Sequence, residues 1–341
     1  MVEEKTLVKK TIEQTQDIAC FVLLVTNNSQ RKPWFMLDLL GKPVFEWVTK
    51  ICPSLPVTLE CFSESKPLSV IKPYLKNREY TLVLFGDTPL LSKQTVLKAI
   101  KHLEDEGLNV CALPRGYVFR TEYIRRVDDV YAPQVYGENN EEYLSVNSSE
   151  NFMTVKDVLR EKIFNFHEDN GVEFIDKKTT YIDSDVRIGS GVVVSASTLL
   201  CGKTEIYENA KIGFGTIIKS SKIGAGSEIC GSEVVSSVVK ENVKIKRGAH
   251  IIEKTFVGAN SIVGENAVLV SASVANNVNI GANSYLVNAR VYNDASVGAN
   301  STLVGTVDNP VRIKEGEKLS LCSIIENKKN SNENNIFTDE D

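Results

Sequence analysis

The chain has 341 residues, 42% hydrophobic and 24% charged, the balance of a globular protein long enough for about two domains, which excludes disorder as its main state. Lys and Arg number 39 against 44 Asp and Glu, a net charge of -5 with no basic stripe, so no nucleic-acid partner is expected. Apolar runs such as Ile18 to Val25 fall short of the roughly 20 residues a membrane-spanning helix needs, and the start MVEEKTLVKK lacks a signal-peptide apolar core. A cytoplasmic protein with no membrane partner is therefore expected.

In the first half, strand-like runs Ala19 to Val25, Val57 to Phe62 and Tyr80 to Phe85 alternate with helical stretches Val44 to Ile51 and Lys93 to Glu106. That alternation predicts an α/β doubly wound domain with a mostly parallel sheet. The third strand ends in Gly86-Asp87-Thr88-Pro89, and ligands of open α/β sheets sit outside the carboxyl ends of the strands, which places Asp87 well; a turn or cap role is the alternative. A short strand is expected to end at Val146-Asn147, with Asn147 an N-cap candidate for the helix after it. Thr154 to Asp169 reads as a connector helix. The seven cysteines form no CxxC pair and read as reduced, small core residues, while His102, His167 and His250 are too far apart in sequence for a zinc site.

From Ile182 one aliphatic residue recurs every six positions: Ile188, Val194, Leu200, Ile206, Ile212, Ile218, with later groups such as Ile245, Ile251, Val257, Val263, Leu269. Period six is neither helical nor simple strand alternation. It predicts short strands that each send one side chain inward and then turn a corner, three to a triangular coil of a parallel β-helix, with room for seven to eight coils up to Leu319. Gly189, Gly213, Gly224, Gly258, Gly264, Gly281 and Gly298, with Asn260, Asn283 and Asn300, are expected at corners that need positive φ. The expected organisation is a domain over 1–153, the connector over 154–170, the β-helix over 171–325 and a polar, disordered tail over 326–341.

The pair LVLFGDTPL and VNSSENF, followed by a helix and GVEFIDKKTTYIDSDVRIGSGVVV, resembles the sugar-phosphate nucleotidyltransferase superfamily. Within it the match is to the bifunctional N-acetylglucosamine-1-phosphate uridylyltransferase/glucosamine-1-phosphate acetyltransferase family. The resemblance implies a left-handed β-helix, a homotrimer built through it, and a nucleoside triphosphate and a sugar phosphate as ligands. It also implies Mg²⁺ held by Asp87 and Asn147 at the nucleotide phosphates. The family's Gly-rich phosphate loop corresponds here to Leu24 through Trp34, which has no glycine; Arg31 and Lys32 are its remaining charged candidates for substrate binding, beside Gly86 and Gly116.

Other family elements are missing. The nucleoside-reading segment has no counterpart between Glu60 and Tyr80, and the catalytic His-Leu-x-Tyr segment of the acetyltransferase half is absent, so His250 reads as a coil-surface residue. Three functional readings follow: metal-dependent nucleotidyl transfer, non-catalytic binding of a nucleotide or sugar nucleotide on a scaffold, and acyl transfer on the β-helix.

Overall fold

The computed structural model describes residues 17–26, 33–62, 66–130, 135–137 and 140–327. Arg31 and Lys32, and the tail beyond 327, lie outside the described residues. The chain divides into two compact units, Met1–Glu161 and Lys162–Asp341.

The first unit is built on a five-stranded sheet of order β2-β1-β3-β5-β4, from β1 (Ile18–Thr26), β2 (Val57–Phe62), β3 (Tyr80–Phe85), β4 (Val110–Leu113) and β5 (Gly116–Arg120). Strands β2, β1 and β3 run parallel, while β5 pairs antiparallel with both β3 and β4. Strand β1 reads IACFVLLVT and is buried almost throughout, because both faces of the sheet are covered. Successive side chains point to opposite faces. Ile18, Cys20, Val22 and Leu24 therefore join one core with α1 (Val44–Ile51) and α3 (Lys93–Asp105), and Ala19, Phe21 and Leu23 join the other with α2 (Pro67–Ile71) and α4 (Thr121–Arg126).

The expected strand at Val146-Asn147 does not form. Glu141–Tyr143 is a 3-10 turn capped by Asn140, whose Oδ1 accepts from the Glu142 amide, and the next residues are irregular because the Val146 amide donates to the Asp87 carbonyl, 2.7 Å away, instead of to a ladder. Helix α5 spans Ser149–Asp169 and starts five residues earlier than Thr154; the division between the units falls inside it. Its N-cap is Ser148, whose Oγ accepts from the Asn151 amide at 3.1 Å, and not Asn147.

The second unit is a parallel β-helix of strands two or three residues long, stacked into one nine-stranded and two eight-stranded sheets. Coils begin at Glu173 and end at Ile324–Glu326, so one face carries nine rungs, more than the seven to eight expected. The inward residue of each rung is the aliphatic of the six-residue repeat: Ile212, Ile218, Ile229, Ile245, Val257, Leu269 and Ile280 are at most 1% exposed. They form one continuous core.

The corners correct the sequence reading of the glycines. Positive φ falls on Asn260, Asn283 and Asn300, at 57°, 56° and 57°, as expected, but Gly189, Gly213, Gly224, Gly258, Gly264, Gly281 and Gly298 do not adopt it. These glycines serve the stack instead. A Cβ on Gly281 would stand 2.3 Å from the Ala299 amide nitrogen of the next coil, so no side chain fits there. The cysteines also divide: Cys20, Cys61 and Cys111 are buried, whereas Cys230 and Cys322 are exposed, Cys230 because it follows the inward Ile229 and points the other way. Among the described residues no helix is long and apolar enough to cross a membrane.

Candidate functional site

The carboxyl ends of the parallel strands gather the site. Gly86 follows β3 directly, and its amide donates to the Leu23 carbonyl of β1 at 2.9 Å. A Cβ there would meet Leu24 Cδ2 at 2.6 Å and Phe45 Cβ at 3.2 Å, so glycine is what lets the loop turn tightly over β1. Asp87 comes next, its side chain 19% exposed at the rim.

Two groups hold the Asp87 carboxylate. Arg115 donates from Nη2 to Oδ2 at 2.5 Å, and the Ser145 hydroxyl donates to the same oxygen at 2.6 Å. The guanidinium also lies over the Phe85 ring, 4.9 Å from its centroid. Asp87 Oδ1 and Arg115 Nε are buried and have no hydrogen-bond partner. The Arg115 side chain as a whole is 38% exposed, so part of it faces solvent.

Arg115 reaches this position through a two-residue hairpin, Pro114-Arg115, between β4 and β5. Gly116 makes the hairpin possible. Its φ is +145° and a Cβ would stand 2.8 Å from the Val83 carbonyl oxygen. In this structure Gly116 thus positions its neighbour. The sequence reading named Gly116 and passed over Arg115; the Pro-Arg-Gly turn between two strand-like runs was the available signal.

The Asp87 and Asn147 segments do come together, through the Val146 amide on the Asp87 carbonyl and through Ser145. The Asn147 side chain is turned to its own helix: it is exposed, and its Oδ1 accepts from Asn151 Nδ2 at 3.0 Å. Mg²⁺ demands an octahedron of oxygens at about 2.0–2.1 Å. Here Oδ2 of Asp87 already takes two donors, one of them a cation, Oδ1 is buried, and the Asn147 amide oxygen is engaged. As arranged, these donors do not fit a divalent ion held between Asp87 and Asn147. Among the described residues no three His, Cys, Asp or Glu side chains gather into a metal-binding group.

On the β-helix, His250 Nδ1 lies 2.9 Å from Glu233 Oε2 of the preceding coil, both half-exposed on an outer face. That is a cross-rung surface pair.

No family model matches the chain. It is 32% identical over 168 residues to the bifunctional protein GlmU of Clostridioides difficile (strain 630), covering 48% of this chain and 37% of that protein. It is 42% identical over 123 residues to the GlmU of Caldanaerobacter subterraneus subsp. tengcongensis, covering 36% and 27%. The chain is thus similar, over part of its length, to the bifunctional protein GlmU. It spans between about a quarter and two fifths of the length of these curated relatives. A cytidylyltransferase structure from Leptospira borgpetersenii overlaps 41% of this chain and 85% of its own at 12% identity and a TM-score of 0.33, a likeness too small to bear on function.

Proposed function

We propose that this protein is a sugar-1-phosphate nucleotidyltransferase-family protein whose N-terminal unit takes a nucleoside triphosphate and a sugar phosphate at the Asp87 loop. The observation that carries this reading is the bond from the Val146 amide to the Asp87 carbonyl, which joins the two motif segments at the carboxyl end of the parallel strands. The reaction in this reading is attack of a sugar-phosphate oxygen on the α-phosphorus with loss of pyrophosphate. Within the chain, Asp87, itself held by Ser145, holds Arg115, and the solvent-facing part of Arg115 supplies positive charge to a bound phosphate. Mg²⁺, implied by the resemblance, would supply charge neutralisation at the same phosphates; the donors present assign it no step.

A second reading, binding of a nucleotide or sugar nucleotide without turnover, is favoured by one observation: the Asp87 carboxylate is closed by an arginine rather than left open. Pyrophosphate release separates the two readings. Each common nucleoside triphosphate is paired with a panel of hexose and hexosamine 1-phosphates, with and without Mg²⁺, with Asp87→Ala alongside. Release above that variant establishes nucleotidyl transfer. Ligand binding with no release from folded protein establishes the second reading.

The β-helix in this reading assembles a homotrimer. One outward row of the nine-stranded face runs Val235, Ile252, Val270, Val287 and Val304, apolar throughout, beside a mixed row of Ile217, Glu233, His250, Val268 and Tyr285. The outward row of one eight-stranded face, by contrast, begins Arg187, Glu205, Lys222. The free cysteines support a reducing compartment, the cytoplasm.

A further inference from the structure

We infer that the Arg115 guanidinium holds the cation position of the Asp87 loop, so that this loop takes a phosphate-bearing ligand with no divalent metal. The ligand class rests on the reading above; the placement of charge at Asp87 does not.

The argument begins with the backbone. Gly116 lets β5 lie against β3 closely enough for the hairpin to project Arg115 across Phe85. The Phe85 ring beneath the guanidinium carbon and the bond from Nη2 to Asp87 Oδ2 fix the guanidinium from two sides. Ser145 fixes the carboxylate from a third direction, and the Val146 amide fixes the loop that carries it. Three segments of the chain, the Pro114-Arg115 hairpin, the end of β3 with its Asp87 loop, and Ser145-Val146, therefore converge on one ion pair.

The unused atoms point the same way. An arginine carries five N–H donors, and the bond to Asp87 uses one of them, at Nη2. Arg115 Nε has no partner and neither does Asp87 Oδ1, both buried. Both atoms are closed to solvent, so the donors left for a planar or tetrahedral oxyanion are those on Nη1 and the second one on Nη2, while Asp87 anchors the group. A divalent ion approaching the same carboxylate meets a cation already bonded to Oδ2. Guanidinium and metal are alternatives at this oxygen, and the structure contains the guanidinium.

The test uses the full chain and two probes, neither of which depends on turnover, so a failure of the proposed reaction leaves it readable. The first probe is Mn²⁺ alone, followed by electron paramagnetic resonance. Wild-type protein is expected to take up no stoichiometric Mn²⁺; uptake that Asp87→Ala abolishes overturns the inference. The second probe is inorganic pyrophosphate, followed by calorimetry in EDTA and again in Mg²⁺.

Affinity is expected to be the same in both media, and Arg115→Ala is expected to lose about tenfold or more, the weight of a charge-assisted contact. Arg115→Lys keeps the charge without the fork, guards against a folding defect in the alanine variant, and is expected to fall between the two. Binding that requires Mg²⁺, binding unchanged in both variants, or no pyrophosphate binding in either medium overturns the inference.

Discussion

Gly116 lies under the Val83 carbonyl, so close that a Cβ on it would stand 2.8 Å from that oxygen. This contact lets β5 register against β3, with Gly116 opposite Leu84, and it sets the distance from which Arg115 reaches Asp87. Gly116→Ala combines a backbone clash with an unfavourable φ and is expected to destabilise the N-terminal unit by about 2–3 kcal/mol. Urea unfolding followed by circular dichroism checks it, and an unchanged midpoint removes the positioning role.

In the β-helix, glycines with and without room differ. Gly281→Ala drives a Cβ to 2.3 Å from the backbone nitrogen of Ala299, while Gly215→Ala meets nothing within 4 Å and suffers only its φ of +69°. The Gly215 variant is expected to lose about 1 kcal/mol and the Gly281 variant clearly more. Denaturant midpoints of the two variants, measured side by side, settle the order.

Asn283 stands in a ladder, accepting from Asn266 Nδ2 at 3.3 Å and donating to Asn300 Oδ1 at 3.1 Å, with its own φ at 56°. Asn283→Gly removes the ladder bonds but tolerates the backbone, whereas Asn283→Ala loses both. Stability is expected to fall in the order wild type, Gly, Ala, with about 1 kcal/mol separating the two variants. A glycine variant no better than alanine would show that φ is not what asparagine supplies.

His167 is 3% exposed, its Nδ1 has no partner, and burial pushes its pKa below the usual imidazole value. The folded state therefore binds the proton less readily than the unfolded chain. Its contribution is complete above the unfolded value of about 6.5 and is lost as pH falls below it toward the folded value. Melting temperature is expected to drop between pH 8 and pH 5, with a shallower drop in His167→Leu. Equal slopes would remove His167 as the cause.

Val270 sits in the outward apolar row of the nine-stranded face, between Ile252 and Val287. Val270→Glu places a charge in that row without touching the inward core. Light scattering coupled to size exclusion is expected to give three chains for wild type and one for the variant, with unchanged circular dichroism. A trimer that survives the charge would move the interface to another face.

The β-helix was legible because its rule is local. One inward side chain per short strand repeats every six residues, and the burial of Ile212, Ile218 and Ile229 follows from that spacing. Strands β1 to β3 and helices α1 and α3 of the first unit were legible for the same reason, through apolar runs such as that of β1, whereas β4 and the short helices α2 and α4 were not. What glycine does at a coil corner was not, because the atom that excludes a Cβ belongs to the next coil: Gly281 and Ala299 meet only after stacking.

The site divides in the same way. The sequence by itself determined the coil repeat and the place of Asp87 at the end of a parallel strand, since both follow from backbone periodicity and strand order. Only the tertiary structure decided that Arg115, 28 residues on, and Ser145, 58 residues on, close upon that carboxylate. Partners so far apart in the chain are chosen by which hairpin and which loop the sheet order brings to one edge, and nothing in the spacing of Asp87 and Asn147 records that choice.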